Sequence, residues 1–289
     1  MEHRIDPLIA ERAPWLYRDR PGTRIAKTCL HRVLGYDATV DIAKSLEDAP
    51  SAQIMGTMAA RLSQMVTVSG LGHIPAHGPA LIVANHPTGI ADGIILHGLI
   101  SAARPDTYFF ANRDILRVFP QMESMIAPVE WRKQQRSHAK TRATMAYVRK
   151  ATDMGRLGVI FPSGRLAKRR GLRLYERPWM ASAAMLARKF DLPVIPVNIQ
   201  ARNSALFYLF DLIHPTLRDI TLFHETLNKG RQPFRVTVGE PISAAAIPRQ
   251  SDAGIAMLRK ATLALGGKDA PTVNLVSTSR VLAKTAQGN

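Results

Sequence analysis

Apolar and polar residues change rhythm near Val66. Before it the spacing is helical. From Thr23 to Leu34, residues Ile25, Cys29, Leu30, Val33 and Leu34 fall on one face, and Gly35 follows as a stop. Between Ser51 and about Met65 the face repeats with Ile54, Met55, Met58, Leu62 and Met65. Beyond Val66, short runs rich in β-formers alternate with helical stretches. The runs predict strands over 66–68, 80–84, 107–111, 126–129, 157–161, 194–199, 220–224 and 234–238. Between and after them, helices are expected over 91–102, 137–154, 179–190 and 251–265. This alternation predicts an α/β fold: a mixed, largely parallel sheet flanked by helices, with a helical basic N-terminal lead-in. Residues 1–65 form the lead-in, packed on the core or on a membrane surface. Residues 66–266 form the α/β domain, and 267–289, polar and rich in small residues, a loose tail.

Composition narrows the class. Hydrophobic residues make up 46% of the 289 and charged residues 21%, which argues against disorder, collagen and coiled coil. Lys and Arg number 39 against 22 acids, a net charge of +17. That excess suits an anionic partner: nucleic acid, a phospholipid surface, or a phosphorylated or CoA-type molecule. Aromatics are only 6% and do not interleave with the basic runs, and no nucleic-acid motif appears, so nucleic acid is not expected as a partner. The single cysteine, Cys29, excludes an internal disulfide and a thiolate-rich zinc site. Charges near Met1 do not suit a signal peptide, and no apolar run is long enough to span a bilayer. The expectation is a cytoplasmic protein, peripheral on the inner membrane. The methionine-rich stripe of 51–65 suits packing on the main domain better than lipid. Arg18, Arg20, Arg24 and Lys27 make the earlier helix the better lipid-facing element.

Chemistry is sought where strands of an open α/β sheet end. The run Ala80–Ala84 ends in Asn85-His86-Pro87-Thr88-Gly89-Ile90-Ala91-Asp92. A carboxylate at Asp92 can accept from one imidazole nitrogen of His86, leaving the other to act as a general base. A histidine is more often surface or core, and an aspartate at a helix start is more often a cap. The strand-end position is what singles out this pair. Two further strand ends carry cations: Ala111-Asn112-Arg113, and Pro162-Ser163-Gly164-Arg165 followed by Lys168, Arg169, Arg170 and Arg173. They suit an anionic head group or a CoA phosphate, or else form a solvated basic surface. His73, His77 and His97 read as surface or packed residues, and Trp15, Trp131 and Trp179 as packing or interfacial anchors.

Taken in order, these blocks resemble the glycerolipid acyltransferase superfamily, which includes the 1-acylglycerol-3-phosphate O-acyltransferases. Val68-Ser69-Gly70-Leu71 with Gly78-Pro79-Ala80 through His86-Pro87 is similar to the strand leading to that family's catalytic histidine. Ala111-Asn112-Arg113 with Ile126-Ala127-Pro128-Val129 resembles its second block. Ile160-Phe161-Pro162-Ser163-Gly164-Arg165 resembles the third, commonly Phe-Pro-Glu-Gly-Thr-Arg. Leu192 through Val197 resembles the fourth, and Val238-Gly239-Glu240-Pro241-Ile242 the closing strand. The likeness covers roughly residues 66–243. Two departures stand out. Five residues, Pro87 to Ala91, separate His86 from Asp92, where the family has four. Ser163 and Arg165 replace the usual Glu and Thr, as in a bacterial branch described as hemolysin-like or lyso-ornithine-lipid acyltransferases.

The resemblance implies an O-acyltransferase. His86 takes the proton of a lyso-lipid hydroxyl, with 1-acylglycerol-3-phosphate as the default acceptor, and Asp92 orients the ring. The oxygen then attacks the thioester of acyl-CoA or acyl carrier protein, without an acyl-enzyme. Asn85, Thr88 and Gly89 are expected to position the dyad or stabilise the oxyanion. Arg113, Ser163, Gly164 and Arg165 are expected to bind substrate. No metal or cofactor is expected beyond the acyl carrier as co-substrate. Arg132, Lys133, Arg136, Lys140 and Arg142 form a solvated face or a docking patch for an acidic carrier protein. The alternative is an inactive acyltransferase fold that binds lipid or acyl carrier protein, suggested by the unusual spacing and Ser163.

Overall fold

A computed structural model describes residues 1–130 and 137–280 of the chain. Trp131, Arg132, Lys133 and Arg136 lie outside the described residues. The lead-in is four helices: α1 (Glu2–Arg12), α2 (Pro21–Leu34), α3 (Tyr36–Ser45) and α4 (Ser51–Leu62). Then come β1 (Val66–Ser69), β2 (Ala80–Ala84), α5 (Ile90–Ile100), β3 (Tyr108–Asn112), α6 (Ile115–Val118), β4 (Ile126–Val129), α7 (His138–Asp153) and β5 (Leu157–Ile160). A hairpin of β6 (Lys168–Arg170) and β7 (Arg173–Tyr175) leads to α8 (Ser182–Lys189) and β8 (Val194–Ala201). The chain closes with α9 (Ala205–Ile213), α10 (Pro215–Asn228), β9 (Phe234–Val238), α11 (Ser251–Ala264), β10 (Thr272–Asn274) and α12 (Ser277–Arg280).

Seven strands form one sheet in the order β1-β9-β8-β2-β5-β3-β4. Every pair is parallel except β8 with β9, so the sheet is mixed and largely parallel. β2 lies at its centre and is buried at all five positions, as a strand covered on both faces must be. Its side chains alternate between two cores. Ala80, Ile82 and Ala84 join α4 and α5 residues such as Met55 and Ile95. Leu81 and Val83 join Leu186 of α8 and Leu258 of α11. The close fit of α4 on α5 requires Gly98, where an added Cβ would lie 2.7 Å from the Ala59 methyl. A third core joins Ile5, Leu8 and Ile9 of α1 to Ile220 of α10. The lead-in is therefore packed on the body of the protein.

At the edge where β2 and β5 begin, Arg104 is almost wholly buried. It donates to the carbonyls of Pro75, Gly78 and Gly155 and pairs with Asp106 at 2.7 Å. The pairing holds the Asp106 carboxyl below the usual carboxylate range. One side chain thus ties together the loops entering two adjacent strands.

Two expectations are corrected. Residues 220–224 are not a strand but the middle of α10. His214 caps that helix, Pro215 occupies its first turn, and Leu217, Ile220 and Phe223 share the face packed on the lead-in. Tertiary burial overrides the local β preference of Ile220-Thr221. The tail is not loose from residue 267. β10 pairs antiparallel with β7, completing a second sheet in the order β10-β7-β6. The described chain is therefore tied down to α12.

Candidate active site

β2 delivers the chain to His86, and the turn after it folds back through Gly89 into α5. Gly89 has φ 92° and ψ −133°. Side chains rarely adopt this conformation, and it lets the turn absorb the fifth intervening residue. Asp92, fully buried in the first helical turn, gathers four donors. Its Oδ2 accepts from His86 Nδ1 at 2.9 Å and from the backbone N–H groups of Thr88 and Gly89, each at 3.0 Å. Its Oδ1 accepts the Thr88 hydroxyl at 2.5 Å. A buried carboxylate needs such partners, and here they also cap the helix. With Nδ1–H given to Asp92, the His86 Nε2 keeps its lone pair as an acceptor. The ring stacks on Phe161, with centroids 4.3 Å apart.

The backbone of His86 is held from both sides. Its N–H donates to Glu176 Oε2 at 3.1 Å, and its carbonyl accepts from Ala167 N–H at 2.9 Å. Asn85 pairs with the Ile199 backbone through both ends of its amide, at 2.7 and 2.9 Å, fastening the end of β2 to β8.

His86 opens on a cavity of about 1580 Å³, larger than the roughly 300–1,000 Å³ of ordinary small-molecule pockets. Much of its wall is apolar, with Ile42, Leu46, Met55 and Met58 from the lead-in and Phe109 and Met122 from the sheet domain. Arg165, Lys168, Arg169 and Arg177 from the segment after β5 also line it, as do Asp211 and Asp219. Arg165 has no acidic partner among the described residues. One chamber therefore combines apolar walls, a group of cations from the segment after β5, and an imidazole.

The expected site residues separate into three groups. His86, Gly89, Gly164 and Arg165 line the cavity. Asp92, Asn85, Thr88 and Ser163 are buried behind it. The polar atoms of Asn85 and Thr88 are engaged in holding the turn, which fits positioning and not oxyanion binding. Ser163 donates to the Arg165 carbonyl at 2.8 Å. Arg113 is exposed and is not brought to the cavity wall. Lys140 pairs with Glu130 at 3.0 Å. Sequence reasoning missed Glu176, Phe161 and the methionines of α4 as parts of the site. The α4 stripe reads as packing, or less well as a lipid-facing surface, and no spacing signal links residue 176 to residue 86.

A family model described as Acyltransferase matches residues 65–200, which include His86, Asp92, Ser163–Arg165 and Glu176. Among curated proteins, a lyso-glycine lipid O-acyltransferase of Phocaeicola vulgatus is 22% identical over 187 residues. That match covers 63% of this chain and 65% of the relative. A lyso-glycine lipid O-acyltransferase of Bacteroides thetaiotaomicron is 21% identical over 244 residues, covering 82% of this chain and 87% of the relative. Residues 65–200 of the chain carry the Acyltransferase domain. Among solved structures, the 1-acyl-sn-glycerophosphate (LPA) acyltransferase PlsC of Thermotoga maritima superposes with a TM-score of 0.50 at 15% identity. It covers 84% of this chain and 96% of its own, and it supports the fold. The superfamily model takes in the dyad and the sheet around it. The lead-in helices and α9–α10, which wall much of the cavity, lie outside residues 65–200.

Proposed function

We propose that the protein transfers a fatty acyl group from a thioester carrier, acyl-CoA or acyl carrier protein, to the hydroxyl of a lyso-lipid. The observation that carries this reading is the His86–Asp92 pair, whose imidazole opens on one cavity lined by both apolar residues and a group of cations. His86 Nε2 removes the hydroxyl proton as the oxygen attacks the thioester carbon. The tetrahedral intermediate collapses, the C–S bond breaks, and the imidazolium returns the proton to the leaving thiolate. Asp92 holds the ring in the required tautomer and stabilises the imidazolium. The N-terminus of α5, beside His86, favours the developing oxyanion. The apolar walls take acyl chain, and Arg165 with its neighbours takes the anionic part of the acceptor or carrier.

The relatives' names point to lyso-lipid acceptors: lyso-glycine lipid for two, 1-acyl-sn-glycerophosphate for the third. Lysophosphatidic acid is our first choice, with lyso-glycine and lyso-ornithine lipids beside it in the assay. Such acceptors reside in membranes. Peripheral attachment to an anionic surface fits the charge of +17, since each well-placed Lys or Arg adds about 1 kcal/mol. The test is ester formation from labelled acyl-CoA and acyl carrier protein with this acceptor panel. Ester from at least one pair is expected. A folded protein that binds lipid and yields no ester from any pair would support the binding-module reading instead.

A further inference from the structure

The site contains a second carboxylate that the dyad does not explain. After β5 the chain makes the β6–β7 hairpin and returns at Glu176, beside His86. Glu176 is 8% exposed. Its Oε2 accepts the His86 N–H at 3.1 Å, and its Oε1 accepts Trp179 Nε1–H at 2.9 Å. The Ser163 hydroxyl, which donates to the Arg165 carbonyl, lies near its carboxyl. No Lys or Arg pairs with its side chain among the described residues. Burial pushes its pKa up, and these donors, together with the charge of His86, pull against that shift. A buried carboxylate without a cation is costly to keep. A glutamine oxygen could accept one of these two N–H groups at less cost, whereas the carboxyl accepts from both. Arg259 donates to its backbone carbonyl at 3.1 Å, and among the described residues the charge acting on its carboxyl is that of His86. Ser163, beside it, stands where the third block of the resembling family carries a glutamate.

We propose that Glu176 is a positioning residue for acyl transfer, returning from the hairpin to supply the carboxylate that Ser163 lacks. It fixes the His86 backbone and adds negative charge beside the imidazolium formed when the acceptor hydroxyl gives up its proton. Glu176 touches His86 and not the substrate, so it acts through the base. The inference rests on the acyl-transfer reading, and its test separates the two.

The test uses the full chain with the best donor–acceptor pair. Four proteins are compared: the parent, Glu176→Gln, Glu176→Ala, and Glu176→Ala combined with Ser163→Glu. Glutamine keeps the shape and removes the charge. The expected result is a fall in kcat of about 10- to 100-fold in Glu176→Gln, the scale on which a misplaced catalytic group costs rate. KM for both substrates and the melting temperature should stay close to the parent's. The double variant, with its carboxylate supplied from position 163, should recover kcat relative to Glu176→Ala. Unchanged kcat in Glu176→Gln would overturn the inference and leave the acyl-transfer reading standing. So would losses in kcat that track losses in melting temperature with no recovery in the double variant. Absence of ester from the parent would overturn both.

Discussion

At the scale of single residues, the site divides its labour between groups that face substrate and groups that hold them. His86 and Arg165 face the cavity, while Asp92, Thr88, Asn85 and Glu176 are committed to fixing the turn. Arg165 is a cavity-lining cation with no acidic partner among the described residues, so its loss should act on binding. We expect Arg165→Ala to raise the acceptor KM by about tenfold with kcat little changed, the pattern of an interaction shared by ground and transition states. Steady-state kinetics over acceptor concentration checks this. His97 behaves differently. It is buried on α5, its Nδ1 has no hydrogen-bond partner among the described residues, and burial lowers its pKa below 6.5. The unfolded chain therefore takes up the proton first as pH falls. This residue's contribution to stability is present above about 6.5 and is lost as pH drops through the lowered folded-state value. Melting curves at about pH 7.5 and pH 5.5 should show a smaller acid-side loss in His97→Leu than in the parent.

At the scale of elements, the sheet was legible because its strands are apolar runs. β2, β5 and β8 are buried at every position, and such runs stand out in a single sequence. The dyad was legible for a related reason: it sits where one of those runs stops. The hairpin was not. β6 is Lys168-Arg169-Arg170, which reads as a basic surface run, and its strand character depends on β7 and on the distant β10. Because the hairpin was hidden, so was Glu176, whose place beside His86 depends on that return. α10 was misread because its β-branched centre is stabilised as helix by contacts with α1, which lies far away in sequence. Arg104 shows how elements are fastened away from the site. Arg104→Met should destabilise the fold by about 2–3 kcal/mol, because three loop carbonyls lose a charged donor while the partly exposed Asp106 can turn to water. Denaturant unfolding measures it, and a loss below about 1 kcal/mol would mean the loops find other partners.

At the scale of the whole molecule, the cavity is a product of assembly. The lead-in helices close one wall over the sheet, and the β5–β7 segment brings the cations. α2 exposes Ile25 and Val33 near Arg24 and Arg32, and α9 exposes Leu209, Leu212 and Ile213. Among the described residues, no helix is long and apolar enough to cross a membrane. With a charge of +17, the protein should sediment with anionic phospholipid vesicles, and raising salt from about 0.05 to 0.5 M should release most of it. Equal binding to neutral vesicles at both salts would place the attraction in the apolar faces alone. Sequence patterning alone did not forecast a shared chamber, because its walls come from segments as far apart as α1 and α10.

The most direct test of His86 as the general base is the rate of ester formation by His86→Ala beside the parent, with both proteins shown to be folded and to bind the acceptor. General-base removal predicts a fall in kcat of at least about 100-fold with acceptor binding retained. Turnover within a few-fold of the parent would contradict the proposed mechanism and move the chemistry to another group in the cavity.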